Sequence, residues 1–149
     1  MAHVTASVHV ITTAAGGVRA GLTASAVTSL SDAPPMVLIC IHRDSNTLTE
    51  IEANGVFCVN TLSGADQAVA ESFAGRKGLE GEERFAAGDW TTMLTGAPML
   101  KGALTAFDCR LVDARSMATH RIIVGEVLAI GGRQEGPCLI YRNRLFGAF

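Results

Sequence analysis

The sequence predicts a mainly β protein, a small closed or nearly closed antiparallel barrel with a few short helices. Three observations support this fold: about six segments are rich in β-branched and apolar residues, short connections join them, and only two short segments show helical spacing. A doubly wound α/β sheet would alternate its strands with longer helices, and the sequence has no such alternation. The length of 149 residues is that of one domain, which we expect to span residues 1–149.

Strands dominate the first part of the chain. Residues 7–13 are rich in β-branched side chains and end at a glycine pair, and residues 18–31 follow, so the two segments predict a hairpin. Residues 36–41 form an unbroken apolar run, which is typical of a central strand. Residues 56–62 predict a further strand. Together these segments account for the first half of the predicted barrel.

Two segments predict short helices and one predicts a loop. Ser45 can serve as the N-cap of a helix over residues 46–53, and residues 65–74 carry apolar side chains at helical spacing. Residues 75–102 begin with a charged stretch that glycines interrupt, which predicts a mobile loop.

Three further strands are predicted in the second half of the chain. In residues 103–113, apolar side chains alternate with Asp108 and Arg110, which predicts one buried face and one face in water. Residues 121–130 are apolar on both faces, so we expect both faces to be covered, one of them by a second subunit. Residues 138–141 complete the predicted barrel.

The composition argues against two classes of protein and favours self-association. Hydrophobic residues make up 48% of the chain and charged residues 17%, which excludes an intrinsically disordered protein. The net charge of −2 argues against a nucleic-acid-binding protein, which would carry a basic surface. The mean hydropathy of +0.31 in so small a protein predicts an exposed apolar face and therefore a homodimer.

Several features predict a cytoplasmic protein. No apolar segment approaches the roughly 20 residues that a membrane-spanning helix needs, and the first ten residues do not have the pattern of a secretory signal. The four cysteines, Cys40, Cys58, Cys109 and Cys138, are widely spaced and form no C-x-x-C pair. We therefore expect reduced thiols with no disulfide or metal-binding role.

The signatures of several well-known catalytic sites are missing from the sequence. It contains no G-x-G-x-x-G, no G-x-x-x-x-G-K-[ST] phosphate loop, no H-E-x-x-H and no G-x-S-x-G nucleophile turn. His3, His9, His42 and His120 lack the spacing of metal ligands, so no metal site is expected. If the protein is an enzyme, an organic cofactor carries the difficult chemical step.

A hydroxyl-rich tract, residues 22–31, is the first candidate for a binding site. Its small side chains would let a flat ring lie close to the backbone, and its hydroxyl and N–H groups could hydrogen-bond to ring heteroatoms. The alternative is a strand edge whose serines and threonines face water. Taken alone, the residues favour this alternative.

A second candidate lies where the strand over residues 36–41 leads into a helix. Ser45, Asn46 and Thr47 stand at the start of that helix, where free N–H groups and the helix dipole attract an anion. The alternative is that Ser45 is an ordinary N-cap, and the residues alone slightly favour it.

Three more positions are weaker candidates. Gly75, Arg76 and Lys77 could hold a phosphate or shield a ring, although a charge pair after a helix usually forms a solvated turn. His120 precedes an apolar strand, where a histidine is more often a hydrogen-bonding surface residue. Tyr141 ends the last predicted strand and is most simply a residue of the barrel rim.

Together these segments resemble the flavin reductase-like family, the FMN-binding split barrel. The resemblance spans nearly the whole chain, in order and spacing, and within the family it is strongest to the reductase component of 4-hydroxyphenylacetate 3-monooxygenase. It implies a small antiparallel Greek-key split barrel that forms a homodimer. The matching segments are VITTAAGGVRAGLTASAVTSLSDAPP, SNT, NGVFCVNTL, ESFAGRKGLEGEERF, GAPMLKGAL, THRIIVGEV and LIYRNR.

The resemblance also implies roles for the candidate segments. In the family the tract of small residues lies against the flavin ring, the SNT segment receives the flavin phosphate, the GRK segment flanks the cofactor, and the histidine position belongs to the nicotinamide side of the pocket. No catalytic side chain is expected, because hydride passes directly between the two cofactors. The expected cofactor-binding residues are Thr23, Ala24, Ser25, Ala26, Ser29, Ser31, Ser45, Asn46, Thr47, Gly75, Arg76, Lys77, His120 and Tyr141.

The activity that the resemblance implies is that of an NAD(P)H:flavin oxidoreductase. Hydride would pass from NADH or NADPH to FMN or FAD, and the reduced flavin would then serve a separate oxygenase component of a two-component aromatic monooxygenase. Two alternatives stay open. The protein could be an electron carrier or sensor of the same fold that holds its flavin tightly, or a barrel that binds a ligand without turnover.

Overall fold

The structure, a computed structural model, describes residues 1–132 and 135–149 and consists mainly of antiparallel strands. The helices in this part of the chain are α1 (Asn46–Asn54), α2 (Gln67–Phe73) and two 3₁₀ helices, Gly64–Asp66 and Gly81–Ala87. The strands are β1 (Ala6–Ser7), β2 (His9–Ala15), β3 (Val18–Ala24), β4 (Val27–Asp32), β5 (Pro35–His42), β6 (Val56–Thr61), β7 (Trp90–Thr92), β8 (Pro98–Leu100), β9 (Thr105–Met117), β10 (His120–Gly132), β11 (Leu139–Arg142) and β12 (Leu145–Ala148).

The main sheet has its two edge strands next to each other in the chain. Its strand order is β3-β2-β6-β9-β10-β5-β4, and the neighbouring pairs are antiparallel. Only Ser25 and Ala26 separate the edge strands β3 and β4, and a connection this short spans at most about 10 Å. The sheet must therefore curl until its edges nearly meet. The result is a nearly closed antiparallel barrel, open along one seam beside β3.

The predicted hairpin is present, but one predicted strand is in fact two. β2 pairs with β3 around Gly16 and Gly17, whose φ angles of 58° and 81° suit glycine. The predicted strand over residues 18–31 is wrong in its continuity, because β3 pairs with β2 whereas β4 pairs with β5 at the other edge of the sheet. This division of one hydroxyl-rich stretch between two edges creates the seam.

The interior of the barrel is packed with apolar side chains from alternate positions of the strands. The predicted central strand is confirmed as β5, whose alternate residues point inward, and α1 covers one side of the same core. The buried members of this core cluster are Ile11, Val37, Ile39, Ile41, Leu48, Ile51, Phe57, Val59, Cys109 and Ile123. Alternation with a period of two thus places every second side chain of β5 in the core.

Residues 75–102 do not form the mobile loop that the sequence predicts. They contain a 3₁₀ helix and the strand pair β7–β8. Phe85 is buried and packs edge-on against Phe73 and Trp90, with ring centroids 4.9 and 5.0 Å apart. Buried Asn60 accepts a hydrogen bond from the Leu100 N–H at 2.8 Å. These long-range contacts hold the segment against the barrel, and glycine and charge patterns do not reveal them.

Asp108 of β9 is buried, contrary to the predicted alternation. Arg110 is exposed as expected, but the Asp108 side chain is fully buried. The turn between β7 and β8 crosses this face, and the backbone N–H groups of Leu94 and Thr95 each donate to the Asp108 carboxylate at 2.8 Å. The carboxylate is therefore buried with its hydrogen-bonding capacity satisfied, which is what burial of a charge requires.

The second half of the chain contains more β structure than the sequence predicts. β10 runs from His120 to Gly132, and its Leu128 and Ile130 are 42% and 49% exposed, so the chain itself does not cover both faces. β11 corresponds to the predicted strand over residues 138–141, whereas β12 was not predicted. β1, β11 and β12 form a separate three-stranded sheet.

The four cysteines are free thiols, and two of them are deeply buried. Burial raises the pKa of Cys109 to about 12 and that of Cys58 still further, so both thiols stay protonated. No helix in the described residues is both long enough and apolar enough to cross a membrane.

His9 of β2 makes the stability of the fold depend on pH. Its ring is 8% exposed, its Nδ1 lies 3.1 Å from the Thr61 hydroxyl, and burial lowers its pKa from 6.5 to about 4. The unfolded chain therefore takes up a proton at higher pH than the folded chain does. The free energy of unfolding falls as the pH decreases from about 6.5 to about 4, and this one group accounts for a loss of about 3 kcal/mol.

Urea unfolding of the natural chain and of His9→Gln, near neutral pH and near the lower pKa, checks this prediction. Glutamine keeps a polar group facing Thr61 but does not titrate, so the variant should lose about 3 kcal/mol less on acidification. The same pH dependence in both proteins would show that His9 is not the group responsible.

Candidate functional site

A groove runs along the open seam of the barrel, over the two residues that join β3 to β4. It consists of two cavities, of about 390 and 210 Å³, which share Thr23, Ala24 and Ser25. The larger cavity reaches Ser45 at the start of α1, and the smaller one reaches Tyr141 of β11. Joined in this way, the two cavities have the size of a small-molecule site.

Small side chains make up the floor of the groove. Thr23, Ala24, Ser25 and Ala26 all line the larger cavity, and Ser25 and Ala26 are exposed to it. Because β3 is an edge strand, its outer backbone groups have no strand partner within the sheet. A flat ring can therefore lie close to the backbone here, as the functional interpretation of this tract requires.

The two hydroxyl groups of this floor differ in availability. The Thr23 hydroxyl donates a hydrogen bond to the Ala70 carbonyl of α2 at 2.6 Å, so it ties α2 to β3 and is not free to donate to a ligand. The Ser25 side chain makes no hydrogen bond within the residues that the structure describes. Ser25 is therefore the hydroxyl donor that the groove offers.

Ser45 occupies the N-cap position of α1 without acting as an ordinary cap. Its backbone is extended, and its side chain makes no capping hydrogen bond, unlike the alternative that the residues alone favoured. Asn46 and Thr47, the first residues of the helix, line an adjoining cavity of about 490 Å³ that also contacts Ser45. The first-turn N–H groups of a helix have no intrahelical partner, so this end of the groove suits an anion.

Arg84 is a groove residue that the sequence did not single out. It lines both the larger cavity and the adjoining one, so it stands close to Ser45. Its guanidinium group donates to the Gly21 carbonyl at 2.8 Å and to the Leu79 carbonyl at 2.9 Å. These bonds fix a positive charge beside the start of α1. No local pattern identifies Arg84 as a groove residue, because its bond to β3 is to the Gly21 carbonyl, 63 residues away in the sequence.

Two histidines face the larger cavity from neighbouring strands. His120, which the sequence predicts, is the direct cross-strand partner of His42 in the β5–β10 pairing. Their ring centroids lie 5.3 Å apart, and the ring planes meet at 71°. Both residues line the cavity together with Ser45. His42 is the first residue of the candidate segment 42–47 that contains Ser45, but it was not included among the predicted site residues.

Arg76 and Tyr141 meet at the other end of the groove. The Arg76 guanidinium donates to the Tyr141 hydroxyl at 2.6 Å and lies 5.6 Å from the ring centroid of Phe146. All three residues line the smaller cavity, opposite Thr23 and Ser25. Phe146 belongs to the strand that the sequence did not predict, and for that reason it is missing from the predicted site.

Four predicted residues line neither the two cavities of the groove nor the adjoining one. Ser29 and Ser31 are on β4, beyond the point where the hydroxyl-rich stretch changes from one sheet edge to the other. Lys77 forms an ion pair with Glu71 at 3.6 Å, as in the solvated-turn interpretation, and Gly75 lines neither cavity. The groove therefore collects only part of the predicted set.

The charge distribution of the groove favours an anionic ligand. Among the described residues, each of its two cavities is lined by one arginine, Arg84 in the larger and Arg76 in the smaller, and by no carboxylate, whereas Glu50 and Glu80 line the adjoining cavity. The fixed positive charges at its two ends oppose the overall net charge of −2. A planar ring with a negatively charged tail fits this arrangement.

The described groove has no arrangement typical of acyl-transfer or metal-dependent catalysis. Among the described residues, no hydrogen bond links a histidine ring to the side chain of Ser25, Ser45 or Cys40, so no ring is placed there to activate a nucleophile. The described residues also include no cluster of three or more His, Cys, Asp or Glu side chains that could bind a metal.

Comparisons with known proteins identify a family model and relatives that match this chain. The model of the flavin reductase-like domain matches residues 1–149. The FMN reductase (NADH) RutF of Ancylobacter novellus is 48% identical over 150 residues, which cover 99% of this chain and 81% of that protein.

Two solved structures have the same fold. BorF, the flavin reductase component of a bacterial two-component tryptophan halogenase, has a TM-score of 0.90 and 29% identity, covering 99% of this chain and 92% of its own. The NADH:FAD oxidoreductase SgcE6 of Streptomyces globisporus C-1027, in complex with NAD and FAD fragments, has a TM-score of 0.89 and 27% identity, covering 99% and 87%.

The hydrogen bond from Thr23 to α2 predicts a loss of stability when the hydroxyl is removed. Thr23→Val keeps the shape of the side chain and leaves the partly buried Ala70 carbonyl without its donor, so the free energy of unfolding should fall by about 1 kcal/mol. Thr28→Val, at an exposed position of β4, serves as the matched control. Urea unfolding measures both, and equal effects would show that the Thr23 hydroxyl does not anchor α2.

Proposed function

The chain belongs to the flavin reductase-like domain family, and from this we propose that it is an NAD(P)H-dependent flavin reductase that works as a single domain. The predicted family is thereby confirmed. The reaction is hydride transfer from NADH or NADPH to FMN or FAD. The proposal rests on the groove along the open seam of the barrel. Its floor suits a flat ring, and its end at α1 suits a phosphate.

Different residues of the groove would bind the ring and the phosphate of a flavin. Ala24 and Ala26 leave room for the ring, and the Ser25 hydroxyl donates a hydrogen bond to its polar edge. At the other end Ser45 and Arg84 receive the phosphate, together with the N–H groups of Asn46 and Thr47. A bound flavin supplies the acceptor for hydride, and the protein supplies the geometry in which nicotinamide can stack against it.

The two ends of the groove have different proposed roles. His120 lines the larger cavity together with Ala26, and we propose that it faces the nicotinamide side of the site. Arg76 and Tyr141 close the opposite end, where their hydrogen bond forms a wall of the smaller cavity. The remaining predicted residues, Ser29, Ser31, Gly75 and Lys77, stay predictions without support from the groove.

We further propose that reduced flavin leaves for a separate oxygenase component. BorF is the reductase component of a two-component system, and the exposure of Ser25 and Ala26 supports a groove from which a ligand can depart.

The free thiols of all four cysteines suit a reducing compartment and support a cytoplasmic location.

Absorbance of NADH in the presence of FMN or FAD tests the proposed activity. Addition of excess free flavin distinguishes it from the alternatives: a reductase that exchanges flavin oxidises NADH in proportion to added flavin up to saturation. A carrier that holds its flavin tightly gains nothing from the excess, and a non-catalytic binding protein consumes no NADH at all. Either of these results would reject the reductase assignment.

Ser25→Leu should weaken flavin binding in flavin-dependent NADH oxidation and leave the fold intact. The leucine side chain would occupy the floor of the groove where the ring would lie. Ser25 is exposed, so the substitution removes no contact within the core. We expect at least a tenfold rise in the KM for flavin, about 1.4 kcal/mol. Thr92→Leu on exposed β7 is the control. Unchanged kinetics in Ser25→Leu would place the ring elsewhere.

A homodimer is the second part of the proposal. Residues of β5 and β10 that point away from the core form an outer apolar face, in which Cys40 pairs with Ile122 and Leu38 with Val124 across the two strands. These side chains and Met36 are only partly buried in the isolated chain. A contiguous apolar sheet face of this kind is typical of a subunit interface.

Sedimentation equilibrium should give twice the chain mass of 15.6 kDa for the natural protein. Leu38→Glu places a charge at the centre of the outer apolar face and should shift the protein to the monomer. Leu94→Glu, on a turn where the leucine is 73% exposed, should leave the dimer intact. A monomeric natural chain, or a Leu38→Glu variant that stays dimeric, would rule out this interface.

A further inference from the structure

His42 is held by the residues that begin α1. Its Nδ1 accepts a hydrogen bond from the Asp44 N–H at 3.2 Å, and its carbonyl accepts one from the Ser45 N–H at 3.0 Å. The corner between β5 and α1 therefore restrains the orientation of the His42 ring.

His120 has a different kind of support. Its Nδ1 lies 2.8 Å from the hydroxyl of Thr119, its own neighbour in the chain, and both side chains are exposed. The second specific contact that the structure gives its ring is the edge-on packing against His42, at a centroid distance of 5.3 Å. Thr119 lies in the turn before β10, and its carbonyl accepts a hydrogen bond from the Arg43 N–H at 3.0 Å. The contact with His42 is the one that connects the His120 ring to a different strand.

We propose that His42 is a positioning residue, which orients the His120 ring for the nicotinamide nucleotide. This inference rests on the proposed function, in which His120 faces the nicotinamide side of the groove. The chain of contacts runs from the start of α1 through the Asp44 N–H to His42, and from the His42 ring to His120. Loss of the His42 ring should therefore weaken the binding of NADH while the flavin contacts at Ser25 and Ser45 remain.

Two substitutions separate the contacts of His42. His42→Asn keeps an oxygen that can accept from the Asp44 N–H but removes the ring, and His42→Phe keeps a ring but removes the acceptor. An edge-on ring pair stabilises the orientation of both of its rings. We therefore expect the KM for NADH to rise about three- to tenfold in His42→Asn. In His42→Phe, the KM for NADH should stay within about twofold of the natural value. The kcat and the KM for flavin should change little in either variant.

A double-mutant cycle shows whether His42 acts through His120. In a His120→Ala background, His42→Asn should cause no further rise in the KM for NADH, because the ring that it orients is already absent. His3→Asn, at an exposed histidine near the N-terminus, is the matched control and should leave the kinetics unchanged. Circular dichroism and urea unfolding of each variant establish that the fold is retained.

Three results would overturn the inference: an unchanged KM for NADH in His42→Asn, an equal rise in both backgrounds, or a rise in the KM for flavin as large as that for NADH. Each of them is measured in variants of a protein that oxidises NADH with flavin. If the natural protein shows no such activity, the proposed function itself fails, and the two failures are therefore distinguishable.

Discussion

The two residues between β3 and β4 determine where this barrel can bind a ligand. Consecutive strands normally pair as a hairpin, but here the pair lies at opposite edges of a seven-stranded sheet. The Ala26 carbonyl accepts from the Cys40 N–H at 3.0 Å, so this residue already belongs to the β5 side of the seam. The outer edge of β3 is left without a partner strand. Because the residues along it are small, no side chain fills the space, and a groove results.

Both walls of the groove are fastened to the strands by long-range contacts. The Thr23 hydroxyl holds α2 through the Ala70 carbonyl, and Arg121 of β10 forms an ion pair with Glu52 of α1, with Nε and Oε1 2.5 Å apart. Arg84 bonds the Gly21 carbonyl of β3 from the segment that follows α2. The start of α1 and the fixed positive charge are thus held in place relative to the floor of the groove, which is the preorganisation that binding an anionic ligand requires.

Local patterns predicted the barrel and marked the small residues around Ser25 as a candidate, and the family resemblance gave them a role in binding flavin. Features that depend on contacts between distant segments were missed. The β-branched segments, the start of α1 and the small residues around Ser25 are visible in the sequence because each depends on neighbours along the chain. The burial of Asp108 depends on a turn that crosses it from β7–β8. Arg84 enters the groove through carbonyls of distant residues, and Ser29 falls outside it because the sheet edge changes after Ala26. No periodicity in the sequence encodes these three facts.

Strand β5 shows how one alternating pattern can serve several purposes. Val37, Ile39 and Ile41 fill the core, whereas the alternate positions point outward and end in Cys40, which lies both on the outer apolar face and on the wall of the groove. The strand then ends at His42, whose ring and carbonyl contact the start of α1. A second subunit that covers the outer apolar face would therefore reach the rim of the groove through Cys40. The proposed dimer interface and one wall of the groove thus share the same strand, the eight residues of β5.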